Sequence, residues 1–185
     1  MDNVNEYYSI EAIQAENQKV PAVFQLDVPG LGYLENTRSS STDIKEGTHL
    51  ELPLWMAEIL AIAGESDDLP RGFITLTAPS PFSNKVMNAL KSDPVHVNLR
   101  EQCMQFYKLA ELWLNFSNDD AVLDGTMTTL SERAAEINDH AHNSSAVLVQ
   151  DGSDFMGRLD DFETRLFKAA NESTKEVKKW LSLKK

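Results

Sequence analysis

The pattern of apolar and polar residues changes near residue 50. In Gln18–Val28 apolar residues recur at every second position, which predicts a half-buried strand. Leu31–Leu34 and His49–Leu52 are candidates for further short strands, and Ser9–Ala15 has the spacing of a short helix. These elements predict a small β-rich domain over residues 1–50, with a thin core that needs support from another element.

From Pro53 onward apolar residues recur every three or four positions, the spacing of amphipathic helices. Trp55 and Trp113 lie on such helices and are expected in the core. The chain therefore predicts a mainly α fold, with a helical domain of about five helices over residues 51–185. The predicted helices lie over Leu54–Ala63, after Ser80-Pro81, over Leu99–Leu114, after a cap at Asn118 or Asp119, and along a stripe from Phe155 to Trp180.

The last predicted helix carries the longest apolar stripe. At 1.5 Å per residue, roughly 27 residues reach about 40 Å, which exceeds the width of a domain of this size. Either this helix protrudes or a partner covers it, so its large apolar residues are predicted to form an interface. The predicted interface residues on this helix are Phe155, Leu159, Phe162, Leu166, Val177 and Trp180. For Trp180, contact with a partner and simple exposure near the terminus both remain open.

The chain is acidic, with 29 acidic and 17 basic residues and a net charge of −12. Thirteen of the acidic residues but only three of the basic ones lie within residues 1–70. This charge repels phosphate backbones, so strong direct binding to nucleic acid is not expected. The acidic half suits either a basic protein partner or solubility alone.

The sequence also indicates a compartment. The single cysteine, Cys103, cannot form a disulfide within the chain, which suits a reducing environment. The polar N-terminus lacks the features of a signal peptide. The longest apolar window, Leu52–Ala63, is too short to span a bilayer and contains Glu58. We therefore expect a soluble intracellular protein without membrane association.

No group of residues indicates catalysis, a cofactor or a metal. His140 and His142 are two positions apart on a helix and point in different directions, and the chain lacks the thiols of a zinc site. Cys103 lies on an apolar helix face, which favours a structural role. The pair Asp160 and Asp161 fits a helix start or a polar helix face. We therefore expect a protein that is not an enzyme.

Four segments resemble a known family. They are Phe24–Leu34 (FQLDVPGLGYL), Leu50–Ala57 (LELPLWMA), Phe82–Ala89 (FSNKVMNA) and Leu159–Glu163 (LDDFE). In this order they resemble the third "partner of Sld five" subunit family of the eukaryotic GINS complex. The resemblance implies a small β-rich domain followed by a larger helical one, which agrees with the change of pattern near residue 50.

The resemblance also implies partners and a location. Four such subunits form a heterotetramer through their helical domains, so three sister subunits are the expected partners. The complex joins the minichromosome-maintenance helicase motor to an accessory protein in the nucleus, and supports initiation and elongation of replication. An unrelated helical adaptor or scaffold is the alternative, and the chains that co-purify distinguish the two.

A second candidate interface lies in the β-rich domain, around Tyr7 and Tyr8. Given the resemblance, this face is a candidate contact to the chain's own helical domain or to the motor. Phe24 and Tyr33 belong to the same candidate face, but they fit the core of the small domain equally well.

Overall fold

The computed structural model describes residues 8–35, 43–63, 72–142 and 155–183. The chain divides into two compact units, Met1–Ser80 and Pro81–Lys185. The first contains a three-stranded antiparallel sheet and the second is helical, which confirms the predicted fold class. Within the described residues, no helix has both the length and the apolar character needed to cross a membrane.

The N-terminal unit is built on a sheet with strand order β2-β1-β3. Its elements are α1 (Ile10–Glu16), β1 (Lys19–Phe24), β2 (His49–Pro53), α2 (Leu54–Ala63) and β3 (Ile74–Leu76). Val20 pairs with Leu52 on one side of the central strand, and Val23 pairs with Thr75 on the other. The alternation in β1 is real: Val20, Ala22 and Phe24 are buried, as the period-two pattern predicts.

The remaining predictions for this unit need correction at two places. Of the residues Leu31–Leu34, predicted as a strand, the last three lie in a turn of 3₁₀-helix over Gly32–Glu35. It follows Gly30, whose φ of 80° lies in the left-handed region that a glycine adopts easily. Trp55, predicted in the core, is exposed, because α2 packs on the sheet through Leu54 and Ala57 instead.

The boundary between the units lies at Ser80 and not at residue 50. Residue 50 falls inside β2, and β3 supplies the third strand of the same sheet. The core of the unit joins all three strands to α2, since Phe24, Leu52, Ile74 and Ala57 belong to one buried cluster. The β-rich unit therefore includes one helix and one strand that the sequence pattern assigned to the helical domain.

The helical unit contains α3 (Asn84–Ser92), α4 (Leu99–Gln102), α5 (Phe106–Phe116), α6 (Asp120–His142) and α7 (Asp161–Leu183), and residues 155–158 are also helical. Asp119 caps α6 by accepting a hydrogen bond from the Val122 N–H, as predicted. The predicted helix Leu99–Leu114 is instead two helices, because Cys103 adopts an extended backbone between them. The predicted stripe from Phe155 to Trp180 is also interrupted before α7 begins.

The two longest helices, α6 and α7, run parallel. Arg133 bonds to Glu163, and the Asn171 amide donates to the Ala141 carbonyl, so both contacts join residues 30 positions apart. A constant separation of this kind occurs only when both helices point the same way. Because α6 ends at His142, the residues of α7 after Asn171 extend past it by about 15–18 Å.

Candidate protein interface on the last helix

Helix α7 has an apolar face that its own unit leaves exposed. Glu163 and Phe167 are buried on the side of α7 that faces α6. On a neighbouring face of the helix Phe162, Leu166, Val177 and Trp180 are 42%, 37%, 55% and 56% exposed. These four residues, with Ala169 and Ser173 between them, form the surface that we call the α7 seam. These four residues of the predicted stripe are therefore open to solvent in part, although Phe162 also contacts Tyr107 of α5.

The other predicted interface residues of this region have a different position. Phe155 and Leu159 are buried in the unit's own core, in a cluster with Ile137, Ala141 and Phe167. Phe155 also stacks on the ring of His140, with 4.3 Å between ring centroids. The structure thus divides the predicted stripe into two core residues, which precede α7, and four exposed residues, which lie on it.

The N-terminal candidates belong to the other unit. Tyr7 lies outside the described residues. Tyr8 is exposed just before α1, and Tyr33 is exposed in the 3₁₀-turn. Phe24 is buried in the core of the sheet, which is the core alternative that the sequence left open.

A buried ion pair holds α7 against α6. The Arg133 Nε lies 2.6 Å from Glu163 Oε1, and its Nη2 lies 2.8 Å from Oε2, so the guanidinium and the carboxylate make a two-point contact. The Nη1 of Arg133 donates to the carbonyls of Pro94, Val95 and Val97 at 2.9, 3.0 and 3.1 Å. Both charged side chains are almost fully buried. A planar fork bonded to this many acceptors has one orientation, so it fixes the position of α7.

The start of α7 belongs to the same network. Asp160 Oδ1 accepts from the Glu163 N–H at 2.8 Å, and Glu163 Oε2 accepts from the Asp160 N–H at 3.3 Å. This reciprocal capping box satisfies two N–H groups at the helix start and explains why the helix begins at Asp161. Tyr107 adds to it, since its hydroxyl donates to Glu163 Oε1 at 2.9 Å and its N–H to Asp160 Oδ2 at 3.4 Å.

Burial changes the protonation of these groups. Burial, more than any neighbour, raises the pKa of Asp160 to about 6. The pKa of Tyr107 is also raised, by burial first and by the adjacent Glu163 carboxylate second, so the phenol remains a donor. The network therefore combines one ion pair with a carboxyl group that titrates a little below neutral pH.

Sequence reasoning missed this network. Arg133 and Glu163 count as polar positions in a periodicity pattern, and such positions are assigned to solvent. The spacing Asp160-x-x-Glu163 before an amphipathic run is the local signal that identifies the capping box. Nothing local pairs Glu163 with Arg133, which lies 30 positions earlier.

An apolar groove continues the α7 seam onto neighbouring helices. Leu123 and Met127 of α6 are exposed along its edge, and Leu114 of α5 lies opposite. Tyr107 lines the groove and also contacts Phe162 of the seam edge-on, with 5.8 Å between ring centroids. The groove therefore adjoins the Phe162 end of the seam.

In the described part of the chain, no three His, Cys, Asp or Glu side chains are grouped so as to hold a metal ion. The fold defines a class: a helical-bundle protein with a β-rich N-terminal unit. A family model for the PSF3 N-terminal domain matches residues 8–62, and one for the GINS complex protein helical bundle domain matches residues 81–182. The second match begins where the helical unit begins.

Relatives named DNA replication complex GINS protein PSF3 match the chain over nearly its whole length. The relative from Aspergillus fumigatus is 41% identical over 174 residues, which cover 94% of this chain and 95% of the relative. That from Debaryomyces hansenii is 40% identical over 177 residues, covering 96% and 98%. That from Saccharomyces cerevisiae is 37% identical over 191 residues, covering 95% and 97%. The chain belongs to the PSF3 family of GINS complex proteins.

Proposed function

We propose that the chain is a structural subunit of the GINS complex in DNA replication, not an enzyme, and that the α7 seam packs against a sister subunit. The observation that carries this proposal is the exposed row of Phe162, Leu166, Val177 and Trp180 on a helix whose first two turns are already packed against α6 through Glu163 and Phe167. Apolar side chains that recur along one face of a long helix are typical of helices that pack side by side.

The groove beside the seam enlarges the contact area. An obligate interface buries roughly 2,000 Å² or more, which exceeds what a single row of helix side chains supplies. Leu123 and Met127 extend the apolar surface across the groove, and Phe162 joins it to the seam. We therefore assign the seam and the groove to one interface.

Family membership supports the wider assignment. The three sister GINS subunits are the direct partners, and through them the chain supports the minichromosome-maintenance helicase motor and its accessory protein in the nucleus. The net charge of −12 favours protein partners over strong direct binding to nucleic acid. Hydrolysis of ATP belongs to the motor in this proposal.

The test is co-expression with the three sisters. We expect the chain alone to aggregate or to be poorly soluble, because the seam exposes large apolar side chains to solvent, and co-expression to restore a four-chain complex on size exclusion. In that complex Val177→Asp and Trp180→Asp should each lower the recovery of sister subunits at least tenfold, since a carboxylate would be buried without a partner.

Tyr33→Asp is the matched control, because it places the same charge at an exposed aromatic of the other unit. It should leave the complex intact, as should Trp55→Phe. Recovery of the seam variants at wild-type yield, or a chain that is a soluble, sharply melting monomer by itself, would contradict the proposal.

A further inference from the structure

Helix α2 in the N-terminal unit is apolar on both of its faces. Its inner residues Leu54 and Ala57 are buried against the sheet. Its outer residues Trp55, Ile59 and Ile62 are 43%, 60% and 59% exposed. We call these three residues the α2 patch.

The spacing of the patch places all three side chains together. Positions i, i+4 and i+7 lie on one side of an α-helix, so Trp55, Ile59 and Ile62 form a continuous row of about 10 Å. A helix that is apolar all round is typical of an element covered on every side. Tryptophan is also among the residues that contribute most to protein interfaces.

The charge around the patch restricts what can cover it. Residues 1–80 contain 13 acidic and 4 basic residues, so they hold −9 of the net charge of −12. Within the patch's own helix the single charged residue is Glu58, which is exposed and one turn from Ile62 and Trp55. Nucleic acid and anionic membranes are repelled by this charge, and so is a second copy of the same unit.

We infer that the α2 patch docks a protein segment that presents apolar side chains among lysine or arginine residues. Apolar contact with the row of three side chains supplies the affinity, and attraction between basic residues and the acidic unit selects the partner. This surface belongs to a different unit from the α7 seam, so the inference does not depend on the proposed seam contact.

The inference is tested with model peptides and the co-expressed four-chain complex. Three labelled peptides of about 20 residues are used, long enough to form a helix. One has an apolar stripe flanked by lysines, one has the same stripe flanked by glutamates, and one has the lysines without the stripe. Fluorescence anisotropy should show the first binding at least tenfold more tightly than either of the others, with a preference that weakens as salt is added.

Variants locate the site. The double variant Ile59→Asn with Ile62→Asn should weaken binding of the lysine-flanked peptide at least tenfold. Tyr33→Asn, at an exposed aromatic outside α2, should leave the affinity for this peptide unchanged. Ile62→Lys alone should reduce the preference for lysine flanks, and it serves as the second variant where the double one fails to fold. Equal binding of the two striped peptides, no binding of any peptide, or equal losses in Tyr33→Asn would overturn the inference.

Failure here is distinguishable from failure of the proposed function. Loss of peptide binding in an intact four-chain complex concerns the α2 patch alone. Loss of the complex itself concerns the α7 seam. A second readout uses a photo-crosslinker at Ile62 in the complex, which should capture the lysine-flanked peptide and should fail to capture the glutamate-flanked one.

Discussion

Helices α2 and α7 both present an apolar outer face, but their inner faces are attached in different ways. The inner face of α2 is apolar, with Leu54 and Ala57 buried against a sheet. The inner face of α7 buries a charged residue, Glu163, which pairs with Arg133 of α6. Hydrophobic burial is non-directional, whereas a two-point ion pair has one geometry.

The difference has a consequence for the two outer faces. Arg133 also donates to the carbonyls of Pro94, Val95 and Val97, which lie between α3 and α4. Because one guanidinium binds both this segment and Glu163, it fixes the rotation of α7 about its own axis relative to the segment. The network therefore determines which residues of α7 face outward and form the seam. On α2 the sheet contact sets the outer face only through the size and position of the buried apolar residues. Variants that weaken each inner face separately test this comparison.

The largest expected effect is at Arg133. Arg133→Met leaves Glu163 buried without a cation, and loss of one partner of a buried pair costs about 3–5 kcal/mol. Hydrogen exchange of the α6 and α7 amides in the co-expressed complex should show a fall of this size in the free energy of opening. Recovery of the sister subunits should fall as well, because the seam loses its fixed orientation.

The double variant Arg133→Met with Glu163→Met separates stability from orientation. Neither charge is then buried alone, so most of the lost free energy of opening should return. Recovery of the sister subunits should remain below wild type. A double variant as unstable as the sum of both single changes would show that the network acts through the capping of α7 and not through the ion pair.

The next largest effect is expected on α2, where a substitution at a buried position is compared with one at an exposed position of the same helix. Leu54→Ala empties a buried site and should lower the free energy of opening of the sheet by about 2–5 kcal/mol. Ile59→Ala removes an exposed side chain and should cost less than about 1 kcal/mol. Hydrogen exchange of β1 amides measures both. Equal losses would mean that the outer face of α2 is covered within the complex.

The elements of this fold follow from periodicity more reliably than their boundaries and orientations do. Strand β1 and the helices carry strong local patterns, and the structure contains them. The end of the β-rich unit was misplaced because pairing of β3 with β1 joins residues about 50 positions apart, as in Val23 with Thr75. No local pattern reports such a pairing.

The candidate site was predicted in part for a related reason. Periodicity identified the apolar row of α7. It could not separate the large apolar residues before the helix from those on it, so all of them were predicted as interface residues. Phe155 and Leu159 are in the core because the helical conformation is interrupted before Asp161, where the capping box starts a new helix. The inward face of α7 was hidden because it contains Glu163, and burial of a carboxylate depends on a partner that only tertiary structure supplies.

The last expected effect concerns pH and Asp160. Burial raises its pKa to about 6 from an ordinary value of 3.8. A carboxyl group whose pKa is raised on folding stabilises the fold fully below pH 3.8, and this contribution is lost as the pH rises through 6. The ionised form therefore costs up to about 3 kcal/mol at neutral pH, at 1.36 kcal/mol per pKa unit.

Asp160→Asn removes the titration and keeps the helix cap, since asparagine caps helices as well as aspartate does. Wild type should lose stability as the pH rises from 4 to about 6, whereas the variant should not. The free energy of opening of α7 in the variant, minus that in wild type, should therefore increase over this range and then level off. Asp119→Asn, a cap substitution on the adjacent long helix, is the matched control. A flat difference for Asp160→Asn would mean that the network accepts the Asp160 carboxylate without a cost, so that polar bonds, and not burial, decide its charge at the start of α7.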